Sequence, residues 1–171
     1  MDSSSELTRT FVSFSRRKLL EEMWPRLCSC LDSLSNEQIW WRPNEASNSI
    51  GNLLLHLNGN LRQWVLQGVG GIENSRDRAS EFRQRDAIAT VELRASLEST
   101  LREIDALLPT LTASDLLAKH DIQVYKDVTA MDAIYHVVEH FAMHYGQILF
   151  ISKLVRGKGL GFYAGLDQAP A

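Results

Sequence analysis

The placement of glycine and proline restricts the fold of this chain more than any other feature of its sequence. No glycine occurs from residue 72 to residue 145, and no proline occurs from residue 110 to residue 169. Glycine and proline are the residues that most strongly interrupt helices and form turns. Their absence therefore predicts that the middle of the chain is mostly helical.

Apolar residues recur at helical spacing in four segments. The clearest segment is 90–109, whose apolar residues step by three or four positions: Leu93, Leu97, Leu101, Ile104 and Leu108. A second helix is predicted for about 49–68, and a third for 129–157, each followed by glycine. The N-terminal helix is predicted for about 5–32, with a kink or a division at Pro25.

Four long helices favour an all-α fold, specifically a four-helix bundle. The two long connections, 71–89 and 110–128, leave room for a crossover topology. A short additional turn is expected at 35–41, because a proline follows at position 43. Apolar residues in the second connection could form a short extended piece: Ile122, Val124 and Val128.

Length and composition predict one domain. The chain has 171 residues, of which 44% are apolar, and this is enough for one sizeable core. We therefore expect a single domain over residues 1–171, with its helical core at about 5–156. The Gly-rich end, 157–171, is expected to be either a tail or a cover over the functional site.

Charge and hydropathy exclude several classes of partner. The net charge of −3 provides no general attraction to nucleic acid or anionic lipid. No apolar stretch approaches the roughly 20 residues of a membrane span, and the N-terminus has no apolar signal core. Cys28 and Cys30 cannot form a disulfide on a helix, because side chains two positions apart point in nearly opposite directions. We therefore expect a cytoplasmic protein that binds neither nucleic acid nor membrane.

Three of the five histidines, His136, His140 and His144, follow one another at four-residue steps on the last predicted helix. Histidines four residues apart lie on one side of a helix, so two of them can bind one divalent ion. His136 and His144 are about 12 Å apart along the axis, which makes one site for all three difficult. Helical phase places His140 and His144 beside the apolar side, whereas His136 faces away. The fifth histidine, His120, is expected at the surface.

A polar stripe on the second predicted helix offers a third ligand. The stripe contains amides and one imidazole but no charged side chain: Asn52, His56, Asn60, Gln63 and Gln67. Because the other polar faces are rich in charge, this stripe suggests a semi-buried cavity between helices. His56, His140 and His144 would leave a fourth position open, as in catalytic zinc sites. The alternative is that these histidines only fill core or surface positions.

Residues 136–140 also match H-x-x-E-H, a zinc protease signature in which a later glutamate completes the metal site. No glutamate follows His140 in this chain. We therefore interpret the match as fortuitous.

Three segments carry a family resemblance. They read Leu34-Ser-Asn-Glu-Gln-Ile-Trp40-Trp-Arg-Pro43, Ser49-Ile-Gly-Asn-Leu-Leu-Leu-His56-Leu-Asn-Gly-Asn-Leu, and His140-Phe-Ala-Met-His144-Tyr-Gly-Gln-Ile148. This combination resembles the DinB/YfiT-like superfamily of small helical metalloproteins, over about residues 11–153. The resemblance implies a four-helix bundle that holds one divalent ion, zinc or nickel, with His56, His140 and His144.

The resemblance also implies a range of functions. Some members of that superfamily are metal-dependent transferases or isomerases that use a low-molecular-weight thiol such as bacillithiol or mycothiol. A thiol S-transferase acting on an electrophilic small molecule is therefore the leading expectation, with Asn60 and Gln147 available to orient a ligand or a histidine ring. The alternative, from another class, is a non-catalytic metal-binding or interaction bundle. A homodimer is expected, with self-association supported by Trp40, Trp41 and Phe162.

Overall fold

The computed structural model describes residues 3–164, which are mostly helical. Met1, Asp2 and residues 165–171, which include the end of the predicted C-terminal segment, lie outside the described residues. The helices are α1 (Ser3–Arg16), α2 (Trp24–Asp32), α3 (Asn36–Trp40), α4 (Ile50–Leu61), α5 (Arg78–Arg83), α6 (Thr90–Leu107), α7 (Ala113–Leu117) and α8 (Ala130–Arg156). The strands are β1 (Lys119–Ile122) and β2 (Tyr125–Thr129).

The N-terminal helix passes Pro25 without a break. A π-helical segment, Arg17–Met23, joins α1 to α2, and Pro25 lies in the first turn of α2. A proline ring crowds the carbonyl four residues earlier and provides no N–H, and the wider π winding before it accommodates both effects. The predicted kink or division is therefore a local change of winding.

The second and fourth long helices begin at capping boxes. Ser49 and Asn52 cap α4, and Thr129 and Asp132 cap α8. A π-helical segment, Arg62–Gln67, continues α4 as far as the glycines that end it. The helix α8 ends at Gly157, whose φ of 65° is the left-handed conformation that glycine adopts without steric cost. These boundaries confirm the helices predicted from about residue 49 and from residue 129.

A β-hairpin lies in the second long connection. Strands β1 and β2 are antiparallel, and Lys119 pairs with Thr129 while Ile122 pairs with Tyr125. The expectation of an all-α fold is wrong in this segment, and the short extended piece considered around Ile122, Val124 and Val128 is part of this hairpin. The hairpin has a physical anchor, because Ile122 is buried and a Cβ at Gly68 would lie only 2.6 Å from its Cδ1 atom.

The core brings the four long helices together. The helix α4 packs against α5, α6 and α8, and α8 also packs against α2. The buried side chains at the centre are mostly aliphatic, with one large aromatic ring, Phe141 of α8, fully enclosed. The two helices with the predicted histidines, α4 and α8, therefore face each other. No helix in the described range is both long and apolar enough to cross a membrane.

Candidate metal centre

Helices α4 and α8 bring three histidines to one point. One ring nitrogen from each of His56, His140 and His144 lies within 4.8 Å of the other two. The Nε2 atoms of His56 and His140 are 2.9 Å apart. His56 and His144 are only 3% and 8% exposed, whereas His140 is half-buried. These three histidines, which the sequence predicts as ligands, could therefore hold one metal ion at the edge of the core.

Hydrogen bonds set the orientation of two of the three rings. The Nδ1 atom of His56 lies 2.8 Å from Oε2 of Glu81, and the Nδ1 atom of His144 lies 2.8 Å from Oε1 of Gln147. Both oxygens are acceptors, so Nδ1 carries the proton in each ring and Nε2 keeps its lone pair. The Nε2 atom of His144 is buried and has no hydrogen-bond partner among residues 3–164. A buried acceptor of this kind fits a metal ligand, since an unpaired one costs free energy.

A buried ion pair supports His56 from behind. Arg76 donates from Nε to Oε1 of Glu81 at 2.6 Å and from Nη2 to Oε2 at 2.8 Å. Arg76 also donates from Nη1 to Gln63 at 2.9 Å. The two charged side chains are 4% and 9% exposed. Burial alone would raise the pKa of Glu81, but the hydrogen bonds from Arg76 and His56 outweigh it and lower this pKa. Glu81 is therefore an ionised acceptor for the His56 ring.

Sequence reasoning missed Arg76 and Glu81. Both lie in the connection between α4 and α6, with Glu81 on the short helix α5, and no spacing rule relates them to His56. One local signal exists at Gly59, three residues after His56 on α4. A Cβ at Gly59 would collide with Glu81 and would lie 2.7 Å from Nε of Arg76. A glycine inside a helix, facing a polar stripe, can thus mark a close approach by another segment.

Replacing Gly59 by alanine is expected to displace the Arg76–Glu81 pair and to lower the free energy of unfolding by about 1–3 kcal/mol, as overpacking does in a tight core. Gly146→Ala on α8 is the matched control, because a Cβ there meets no atom within 4 Å. That control should raise stability by about 0.5–1 kcal/mol through helix propensity. Urea denaturation of both variants measures the difference, and equal effects would contradict the assigned contact.

The structure corrects the prediction for His136. It does not face away: its ring centroid lies 4.0 Å from that of Trp64, and its Nε2 atom lies 3.3 Å from Nδ2 of Asn60. The ring is also 5.3 Å from that of His140. The π-helical continuation of α4 carries Trp64 to this side of α8, and helical phase on α8 alone could not show that. Asn60, considered for orienting a ligand or a histidine ring, contacts His136.

The remaining predicted residues lie apart from the three histidines. His120 is half-buried on β1 and lines a polar cleft of about 350 Å³ with Gln63. Trp40 is also half-buried, and its Nε1 donates to the Ile88 carbonyl at 2.9 Å. Trp41 is exposed and Phe162 is half-buried. The expected surface position of His120 is therefore only partly correct, and Trp40 and Phe162 are likewise only partly exposed.

Burial favours the neutral form of three histidines on α8, which are His136, His140 and His144. Burial, and then the proximity of His144 and His56, lowers the pKa of His140 from 6.5 to about 3. Burial also lowers the pKa of His144 and that of His136. Neutral imidazole is the form that binds metal ions, so the fold prepares His140 and His144 as ligands near neutral pH.

The lowered pKa values predict acid lability of the metal-free protein. In the unfolded chain His140 binds a proton below about pH 6.5, whereas in the folded protein it does so only below about pH 3. Protonation therefore favours the unfolded state, and stability falls through this window as the pH falls. Denaturation of chelator-treated protein at about pH 7.5 and about pH 5 measures the loss. His140→Ala removes the largest contribution and should flatten this dependence, and an unchanged slope would contradict the assignment.

Comparisons with known proteins agree with this architecture. The structure is similar to the one described as "Crystal structure of the conserved protein of locus from Enterococcus faecalis", with a TM-score of 0.68 and 17% sequence identity. The similarity covers 85% of this chain and 97% of that chain, and at this identity it shows a shared fold. No protein of curated function matches the sequence. The model of a family described as "Protein of unknown function (DUF1572)" matches residues 6–162. The chain therefore belongs to the DUF1572 family.

Proposed function

We propose that this protein is a DinB-like four-helix-bundle metalloprotein that binds one divalent ion with His56, His140 and His144. The observation that carries the proposal is that one ring nitrogen from each of these histidines lies within 4.8 Å of the other two, while Nε2 of His144 is buried without a hydrogen-bond partner in the described part of the chain. A lone pair without a donor, next to two further imidazoles, is stabilised by a metal ion. The packing of α2, α4, α6 and α8 around one core supports the bundle.

The donor set favours zinc or nickel. Imidazole nitrogen suits both ions, whereas magnesium and calcium prefer oxygen ligands. The carboxylate of Glu81 accepts from the far nitrogen of His56, and this outer contact fixes the ring and raises its basicity. Three protein ligands leave room for a further group, which is the arrangement of a catalytic site.

We further propose that the site conjugates a low-molecular-weight thiol to an electrophile. A divalent ion lowers the pKa of a thiol and positions its sulfur. In the reaction the sulfur forms a bond to an electrophilic carbon, the leaving group departs with the bonding pair, and the thiol proton passes to solvent. Arg76 and Glu81 hold the His56 ring from behind, and Phe82 packs against it with ring centroids 4.6 Å apart, which limits water access on that side.

Metal binding is tested first. Chelator-treated protein titrated with Zn²⁺ or Ni²⁺ in a calorimeter is expected to bind one ion per chain. The matched control is His120→Ala, which removes a histidine on the hairpin and should leave the stoichiometry unchanged. Failure of the wild-type chain to bind either ion in a one-to-one ratio would overturn the proposed site.

Thiol transfer is tested separately. Metal-loaded protein is mixed with an alkylating electrophile and, in turn, bacillithiol, mycothiol, glutathione and cysteine, and the thioether is quantified by mass spectrometry. At least one thiol should react faster than in the uncatalysed mixture, and His140→Ala should abolish the increase. If no thiol in the panel reacts faster with the metal-loaded protein than without it, the proposed transferase activity is overturned, while the proposed metal binding is unaffected.

A structural role for the metal is the second candidate. It is favoured by the depth of His56 and His144, which are almost fully buried and belong to the two facing helices α4 and α8. An ion held by both helices would cross-link them and stabilise the folded state. Large thermal stabilisation by metal, without turnover of any thiol, would select this role.

A further inference from the structure

A groove lies on the side of α8 that carries Met143 and Gln147. It has a volume of about 640 Å³ and lies between the C-terminal half of α8, the start of α4 and the segment 41–48. Its walls are aromatic and aliphatic side chains, among them Trp41, Leu53 and Phe150, and its polar groups are amides and one hydroxyl. None of the lining side chains within residues 3–164 is charged. This volume and lining are those of a small-molecule site.

A helical glycine keeps the groove open. Gly146 lies inside α8 and lines the groove, and a Cβ built there meets no atom within 4 Å. In contrast, a Cβ at Gly51 or Gly59 of α4 would collide with a neighbouring side chain. Glycine inside a helix costs about 0.5–1 kcal/mol relative to alanine, and at position 146 neither packing nor backbone conformation requires it. We therefore attribute the glycine at this position to the open volume that it leaves in the groove.

The groove reaches the candidate metal centre through α8. Gln147 lines the groove, and its Oε1 atom accepts the hydrogen bond that orients His144. Met143, the residue before His144, lines the groove as well. On α4 the lining residue Leu53 lies three positions before His56. A molecule in the groove could therefore contact Gln147, the side chain that orients His144.

We propose that the groove binds the electrophilic substrate, and that this substrate carries an uncharged aromatic or branched alkyl group. This inference rests on the proposed function and names the substrate class of the same site. An ionic group in the groove would lose hydration without gaining a charged partner, so charged substrates are disfavoured. Trp41 and Phe150 are 41% and 60% exposed, and covering their rings provides the apolar contact. The amide of Asn48 and the hydroxyl of Ser47 can bind one carbonyl or hydroxyl group of the ligand.

The test uses an uncharged naphthylamine dye whose fluorescence increases in apolar surroundings. Wild-type protein is expected to bind the dye in a saturable, one-to-one manner. Gly146→Leu fills the groove from its floor, improves helix propensity, and should weaken dye binding at least about tenfold. Lys153→Leu is the matched control, because it adds the same side chain to an exposed position of α8 that does not line the groove. The control should bind within about twofold of wild type.

Two further measurements separate the outcomes. Bound zinc is quantified in each preparation, and Gly146→Leu should keep its metal while it loses the dye. Equal dye binding by both leucine variants would overturn the proposed ligand site in the groove and leave the metal site unaffected. A wild-type protein that binds the dye but contains no metal would overturn the metal site alone. Molar mass from light scattering tests another occupant. A wild-type dimer that becomes a monomer only in Gly146→Leu would identify a second copy in the groove and overturn the proposal.

Discussion

His140→Ala is expected to weaken zinc binding about a thousandfold. Complete zinc sites contribute about 10–16 kcal/mol at neutral pH, so one of three or four ligands accounts for about 4 kcal/mol, and each 1.4 kcal/mol is a factor of ten. The Nε2 atom of His140 lies 2.9 Å from that of His56, so the substitution removes one of the proposed metal ligands. Competition against a chromophoric chelator measures the change.

His136→Ala is the matched control for this experiment. It removes an imidazole from the same helix, four residues earlier, whose Nε2 atom contacts Asn60 and whose ring packs on Trp64. Zinc affinity should stay within about threefold of wild type, because no metal ligand is lost. An equal loss in the two variants would show that the ion uses a different set of histidines.

Glu81→Ala is expected to lower the free energy of unfolding by about 3–5 kcal/mol, because it leaves the guanidinium of Arg76 buried without its partner. The pair is almost fully enclosed, and Arg76 donates two hydrogen bonds to this carboxylate. The same variant should weaken zinc binding about 10–100-fold through the lost contact to Nδ1 of His56. Urea denaturation of the metal-free protein measures the first effect, and chelator competition measures the second.

Glu98→Ala provides the surface comparison. It breaks the exposed pair between Arg102 and Glu98 on α6, which should cost less than about 1 kcal/mol. The double variant Arg76→Leu with Glu81→Leu should recover part of the stability lost in Glu81→Ala, since no unpaired charge remains. Similar losses for Glu81→Ala and Glu98→Ala would contradict the buried position of the Arg76–Glu81 pair.

Local rules predicted the helices because each depends on neighbours in sequence. The capping boxes at Ser49 and Thr129, and the apolar spacing from Leu93 to Leu108, act within one or two turns of chain. The hairpin was anticipated only as a short extended piece. Its two-residue turn is Gln123–Val124, in which Gln123 takes a φ of 56° without being glycine, and burial of Ile122 against Gly68 holds it.

The sequence by itself determined the long helices and the choice of His56, His140 and His144, because helical spacing and phase are properties of single segments. Only the tertiary structure decided which groups support them. The Arg76–Glu81 pair reaches His56 from a connection 20 to 25 residues away in the chain, and Trp64 turns His136 toward α4. Such contacts arise when separate elements pack together, and burial makes them strong by removing water from around the charges.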